Sequence, residues 1–465
     1  MGSPRHSSPI YHPKNGQAAD PTSAKLGLWP LVFLTFYSVS GGAFGIEQIV
    51  QAAGPLYALL GFSLLLVWAL PEALVTAELS SALPEASGSV AWVHAAFGPF
   101  WGFQKGWLSW LSGVSDNSLY PMLFLDGMVA FINTFDGAVS VFADGWPRWA
   151  FIITSVAVLT YFNYRGLEFV GSAVTVICVF TLLPFIVFCI YGMTEMDYSR
   201  LLEVPANGLH GVKWRLLLNT FFWNINYWES AAAYSGDVQN PGRDYPRGMC
   251  VAVVLVTISL FLPVFVGIGA SKVPYEEWTD GSFTKIATDV AGPWLGYWMM
   301  AASAVTNVGM FEAEMSSDAW QVAGMAEKGI LPKVLGTRNK YNAPTYGIIM
   351  SATGIAALAT LSFSEVIDIL NLLYCMAQII EFFAFIELRR SHENLHRPYR
   401  IPVNLFGAVL LMTLPLLFVL LIFMISSLKI VLMAIVGAIS GVVVYYVVEI
   451  ARDRGWCEFE PLDEV

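Results

Sequence analysis

Glu229 closes the heptapeptide Trp223-Asn224-Ile225-Asn226-Tyr227-Trp228-Glu229, a polar and aromatic cluster set inside an apolar run. A carboxylate among indole and phenol faces suits an ammonium group on an aliphatic chain. The acid supplies charge-assisted hydrogen bonds, and the rings supply cation–π contact and cover for methylenes. Trp223, Asn226, Tyr227, Trp228 and Glu229 are therefore candidate ligand contacts. Asp116, Asn117 and Tyr120 form a second cluster, in which positions 116 and 120 share one helix face. A third candidate is Ser40-Gly41-Gly42-Ala43-Phe44-Gly45 with Glu47 two residues on. Each of its three glycines weakens a helix by roughly 1 kcal/mol. The amides freed after Gly41 suit a carboxylate and Glu47 suits an ammonium, so Ser40, Gly41, Gly42 and Glu47 fit either ligand class.

Further acids lie in similar surroundings. Glu314 and Asp318 are one helical turn apart, with Glu312 beside them. Two carboxyls that close cannot both ionise freely, so Glu312, Glu314 and Asp318 are candidates for substrate contact or proton coupling. Glu78 is expected to pair with Arg243 or Arg247 as an inner gate. Glu72 follows Pro71, and Asp126 and Glu381 have no assigned partner. These ten acids all sit in stretches that read as membrane spans, where Lys105 is the one basic residue at comparable depth. A carboxylate at the bilayer centre costs roughly 2.5–3.5 kcal/mol. Ten uncompensated would cost roughly 25–35 kcal/mol, more than the ~5–15 kcal/mol that holds a typical domain together. They must face a wet cavity, bind cations, share protons or lie at interfaces. The imbalance suggests a transporter for a positively charged substrate.

The elements that would position these residues are helical. Of 465 residues, 56% are apolar and 13% charged, where about 25% charged is usual for soluble chains. Long apolar runs recur without the alternation of barrel strands. They predict an all-α membrane protein with twelve transmembrane helices, at about 27–53, 55–83, 98–132, 148–163, 168–193, 216–237, 248–271, 294–323, 344–362, 365–388, 402–426 and 430–450. With the N-terminus inside, 17 of the 24 Lys and Arg fall on the cytoplasmic side, Lys105 among them, and 7 outside. That bias puts both termini in the cytoplasm. Residues 1–25 read as a disordered tail and 451–465 as an acidic one. The first and sixth spans are interrupted at corresponding places, a pointer to a transporter site at the midplane. The competing readings are glycine-mediated helix packing for the first and an aromatic belt for the sixth. Of the many tryptophans, Trp107 and Trp110 join those beside Glu229 as site candidates.

Other classes find little support. Cys178, Cys189, Cys250, Cys375 and Cys457 have no metal or redox spacing and read as small buried hydrophobes. His94 reads as a satisfied interfacial residue. No catalytic motif, cofactor or metal set is visible, and no basic patch invites nucleic acid.

The motifs SGGAFGIE, PEALVTAEL, FGPFWGFQKGWLSWLSGVSDNSLYPMLFLD, FFWNINYWESAAAYSGDVQNPGRDYPRGM, MFEAEMSSDAWQVAGMAEKGILP and HRPYRIP, in this order over about residues 25–450, resemble the amino acid–polyamine–organocation superfamily. The closest likeness is to the polyamine uptake transporters of plants and protists. The resemblance implies a leucine-transporter-like fold of two inverted five-helix repeats, here 26–193 and 194–388, plus two extra helices within 389–450. It also implies uptake of putrescine, spermidine or spermine, with protons as the coupling ion and a lipid bilayer as the setting. Amino-acid members of the superfamily often carry a coupling lysine in the fifth span, but Thr175 to Ile190 hold no basic residue. Residues 133–148 lack the cysteine that would join a disulfide-linked heavy chain, so none is expected. The alternatives are a cationic or neutral amino-acid transporter and a non-transporting membrane sensor of the same fold. Plasma membrane is the default location.

Overall fold

The computed structural model describes residues 26–136, 145–359 and 363–462. The expected tail at 1–25 lies outside them, as does the end of the acidic tail. Sixteen α-helices form the described chain, with no strand among the described residues. They are α1 (Leu28–Val39), α2 (Gln48–Gly61), α3 (Leu70–Ala82), α4 (Ser89–Phe97), α5 (Pro99–Asn117), α6 (Tyr120–Asp136), α7 (Gly145–Tyr164), α8 (Leu167–Gly192), α9 (Trp214–Trp223), α10 (Pro241–Ala270), α11 (Ser282–Ala291), α12 (Pro293–Glu327), α13 (Thr345–Leu358), α14 (Phe363–Ser391), α15 (Leu405–Ile425) and α16 (Leu428–Asp453). A π-helical turn, Leu65–Ala69, leads into α3, and a 3-10 segment, Trp228–Asp237, follows α9.

Among the described residues, six helical segments are long and apolar enough to cross a membrane: Leu65–Ala82, Leu167–Glu195, Pro241–Ala270, Val366–Ser391, Leu405–Ile425 and Leu428–Asp453. The protein is a multi-pass membrane protein. The other expected spans are also helical, but shorter or more polar.

Local chemistry explains where helices stop. The expected span 98–132 is two helices, because Pro121 lacks an N–H and its ring opposes the carbonyl of Asn117. The helix α5 ends at that residue. At Gly54, φ of 72° breaks α2 just before Pro55, the expected boundary between the first two spans. Residues 40–47 are non-helical between α1 and α2, with Gly42 and Gly45 at φ of 94° and 87°. The sixth span breaks at Asn224–Tyr227, where Tyr227 adopts a left-handed conformation. Both breaks fall where the sequence placed them.

Helix α12 carries the chain past α5, α6, α7, α8 and the 3-10 segment. Glycines on α5 allow its close approach. A Cβ at Gly106 would stand 2.5 Å from Met325 Sδ, and one at Gly113 would stand 2.3 Å from Asp318 Oδ1.

Candidate functional site

The two breaks meet. A Cβ on Gly45 would lie 3.1 Å from the Trp223 ring, and the Gly41 carbonyl accepts a 2.6 Å hydrogen bond from Thr306 of α12. Helices α1 and α9 both end at this junction, so the negative ends of two helix dipoles point toward it, which favours a cation.

Beside the junction lies a narrow cavity. Glu229, Glu314, Asp318 and Tyr227 line it, with Ser109, Gly113, Ser230, Ala233, Ser317 and Gln321. Its free space is about that of one water molecule. None of these ten lining residues is cationic. Glu314 accepts a 2.7 Å bond from the Tyr120 hydroxyl. Asp318 Oδ2 is buried with no hydrogen-bond partner. Asp116, on α5, accepts from Trp223 Nε1 at 2.9 Å. The Tyr227 hydroxyl bonds Ser112 at 2.5 Å.

Glu229 joins the cavity to a buried charge cluster. Lys105 Nζ stands 3.4 Å from Glu229 and 2.9 Å from Glu381 of α14, and the lysine is fully buried. Its placement among the cytoplasmic loop charges is therefore corrected, and the acids are not wholly uncompensated. The Tyr374 hydroxyl contacts Glu72 and lies 2.9 Å from Glu229 Oε2. It also accepts the Tyr227 backbone N–H at 2.8 Å. The rings of Tyr227 and Tyr374 are 4.5 Å apart, and Trp68 and Phe222 pack behind Tyr374.

Several expected site residues lie elsewhere. Glu312 points away from Glu314, because positions two apart face opposite sides of a helix, and it accepts from Asn163 of α7 at 2.7 Å. Glu47 is buried and accepts the backbone N–H groups of Gly45 (2.8 Å) and Gly281 (3.2 Å), tying the first break to the loop between α10 and α11. Ser40 and Gly42 bond each other at 3.3 Å. Asn117 donates to the Phe311 carbonyl at 3.3 Å. Trp228 is fully buried and donates to Ile225 O. Asn226 is buried with neither amide atom partnered.

Glu78 does not pair with Arg243 or Arg247, which are exposed. It accepts from Arg389 and from the Ile401 N–H (2.8 Å), and Arg397 Nε stands 3.2 Å away. Arg389 also donates to the carbonyls of Val403 (2.7 Å) and Ile401 (3.1 Å), so this cluster ties the segment between α14 and α15 to α3. Asp126 pairs with Arg148 at 2.6 Å on the exposed surface. Trp107 donates to Ser440 (3.0 Å) and Trp110 to Ser351 (3.1 Å), so both serve packing onto α16 and α13. Cys178, Cys189 and Cys375 are buried as expected, but Cys250 and Cys457 are exposed.

The residues that sequence reasoning missed are Tyr374 and the partnership of Lys105 with Glu381. A signal was present: Asn371, Tyr374, Gln378 and Glu381 repeat at helical spacing through an apolar run, and all four are fully buried.

Broken helices around a buried polar cavity are a hallmark of secondary transporters. The amino acid permease family model matches residues 26–450, and the chain belongs to that family, whose members are transporters rather than enzymes. The chain is 44% identical over 436 residues to the polyamine transporter RMV1 of Arabidopsis thaliana, covering 94% of this chain and 87% of the relative. It is 42% identical over 441 residues to the polyamine transporter PUT1 of Oryza sativa subsp. japonica, covering 94% and 81%. An arginine/ornithine antiporter of Latilactobacillus sakei is 24% identical over 354 residues, covering 70% of each chain.

Proposed function

We propose that the chain is a secondary active transporter that imports putrescine, spermidine or spermine by alternating access, coupled to protons. The observation that carries this reading is the cavity wall. Glu229, Glu314 and Asp318 meet there with no cationic lining residue, and Lys105 behind them is engaged by Glu229 and Glu381. Such a wall attracts ammonium groups and repels the carboxylate of an amino acid. Tyr227 offers an aromatic face for methylenes or a cation. The two closely similar plant relatives, both named polyamine transporters, support the same substrate. A cavity of one water's size must widen to admit an amine chain, and alternating access supplies that opening.

In this reading twelve helices span the membrane. Two inverted five-helix repeats, 26–193 and 194–388, are followed by two further helices within 389–450. The non-helical stretches after α1 and α9 occupy equivalent positions in the two repeats. Both termini face the cytoplasm, and the plasma membrane is the site of uptake. Glu314, in the cavity wall, is a carboxyl able to hold a substrate ammonium.

The test is uptake of labelled spermidine into liposomes holding the purified protein, with pH and sodium gradients imposed separately and the potential clamped. Concentrative uptake driven by the pH gradient, displaced by putrescine and not by arginine or leucine, is expected. Displacement by arginine would mark an amino-acid carrier. Binding without accumulation would mark a sensor.

A further inference from the structure

The Tyr374 hydroxyl has more partners than one phenol can serve alone. It accepts the Tyr227 N–H and meets both Glu72 Oε1 and Glu229 Oε2. A phenol has a single proton to donate. It can donate to one carboxylate. The other carboxyl completes a hydrogen bond only by carrying a proton and donating it to the phenol oxygen. The three contacts together therefore define a place for one extra proton. A second observation agrees. Glu72 is fully buried and its Oε2 has no partner, which suits a neutral carboxylic acid far better than a carboxylate.

We propose that Glu72 and Tyr374 form, with Glu229, a relay that stores the coupled proton behind the substrate cavity. This rests on the reading of that cavity as an amine site. A proton reaching Glu229 Oε2 passes to Tyr374 Oη while the phenol's own proton passes to Glu72 Oε1. The Oε2–H bond breaks, the Oε1–H bond forms, and Tyr374 remains a phenol. Glu229 is left ionised and free to hold a substrate ammonium, while the proton waits one residue farther from the cavity. Reversal of the same steps returns it to Glu229 for release.

The charges around the relay fit this role. Glu72 is faced by Glu229 from the 3-10 segment, by Tyr374, Cys375 and Glu381 from α14, and by Lys105 from α5. The π-helical turn, α15 and the part of α10 beyond Cys250 carry no charged residue. With one stored proton and the Lys105 ammonium, the three carboxyls keep one net negative charge, which one substrate ammonium neutralises. Storage on Glu72 separates the proton site from Glu314 and Asp318, which remain free for the substrate's second ammonium.

The experiment compares wild type, Glu72→Gln, Tyr374→Phe and Glu314→Gln in liposomes with the potential clamped. It measures both spermidine binding and accumulation driven by a pH gradient alone. Each coupled proton supports up to about tenfold accumulation per pH unit. Glu72→Gln is expected to bind spermidine and to lose that factor for one proton. Tyr374→Phe keeps the buried ring, cuts the relay, and is expected to lose the same factor. It also decides the matter if Glu72→Gln does not reach the membrane. Wild-type accumulation by either variant overturns the proposal, and loss confined to Glu314→Gln would put the proton in the cavity wall. If wild type binds spermidine but ignores the pH gradient, the relay falls and the polyamine reading stands. If wild type binds no spermidine, both fall.

Discussion

Lys105 and Glu381 stand 2.9 Å apart, both fully buried, on helices separated by most of the chain. Removing one member leaves an uncompensated charge, a loss typically worth about 3–5 kcal/mol. Lys105→Met should therefore lower the melting temperature of the detergent-purified protein markedly. Adding Glu381→Leu removes the stranded acid and should recover part of the loss. A single variant as stable as wild type would mean that this pair does not support the fold.

Glu229→Gln keeps the side chain's shape and removes its charge. One charge-assisted hydrogen bond is worth roughly 1.5–3 kcal/mol. Spermidine affinity, measured by equilibrium binding to the purified variant, should fall about tenfold or more. Unchanged affinity would take Glu229 out of the binding wall.

Much of the fold was legible because its signals are local. Apolar runs of bilayer length, the Gly41–Gly42–Gly45 cluster and the polar stretch before Glu229 each state their consequence within a few residues. The site was legible only in part. Glu314 and Asp318 do share a face on the cavity, as their spacing requires. Glu312 was grouped with them by closeness in sequence, yet a two-residue offset turns it toward Asn163. Partner choice was least legible. For Glu78 the sequence offered Arg243 or Arg247, and only the tertiary fold brings Arg389 and Arg397 to it, 311 residues away in the first case. Lys105 was legible as the one basic residue at the depth of the acids, but nothing in its own neighbourhood announces that Glu381 and Glu229 will enclose it.

The Glu78 cluster gives a direct comparison. Glu78→Gln leaves two buried guanidinium groups without their acid and should destabilise by about 3–5 kcal/mol. Arg243→Ala and Arg247→Ala remove exposed side chains and should stay within about 0.5 kcal/mol of wild type. Thermal unfolding of the three purified variants distinguishes these partners. A larger loss from either exposed arginine would restore the pairing expected from the sequence.

Gly113 makes room for Asp318, since a Cβ there would stand 2.3 Å from its carboxyl oxygen. Gly113→Ala should push that acid from the cavity wall, at an overpacking cost of about 1–3 kcal/mol. Spermidine uptake should fall while the protein still reaches the membrane. Adding Asp318→Ala should relieve the clash and recover stability without restoring uptake. Full uptake by Gly113→Ala would show that the α5–α12 contact tolerates a methyl group and that the position of Asp318 is not critical.

The first break offers the sharpest steric test, because its two glycines are required for different reasons. A Cβ at Gly41 would stand 2.5 Å from Met310 Sδ and 2.9 Å from the Thr306 hydroxyl. Gly41→Leu therefore forces α12 away from the junction and disturbs the Thr306 bond to the Gly41 carbonyl. Gly42 has ordinary space around it, its nearest neighbour being Leu182 at 3.7 Å, but its φ of 94° disfavours any side chain. Gly42→Leu thus acts through the backbone conformation rather than through a clash. Both variants should insert into the membrane, since each adds apolar surface, and both should lose spermidine uptake. A second substitution separates the two causes. Met310→Ala should restore part of the uptake to Gly41→Leu by opening space beside it, and should do nothing for Gly42→Leu. Rescue of both variants would mean that crowding alone limits the break. Near-normal uptake by both single variants would mean that the non-helical stretch after α1 is not needed for transport.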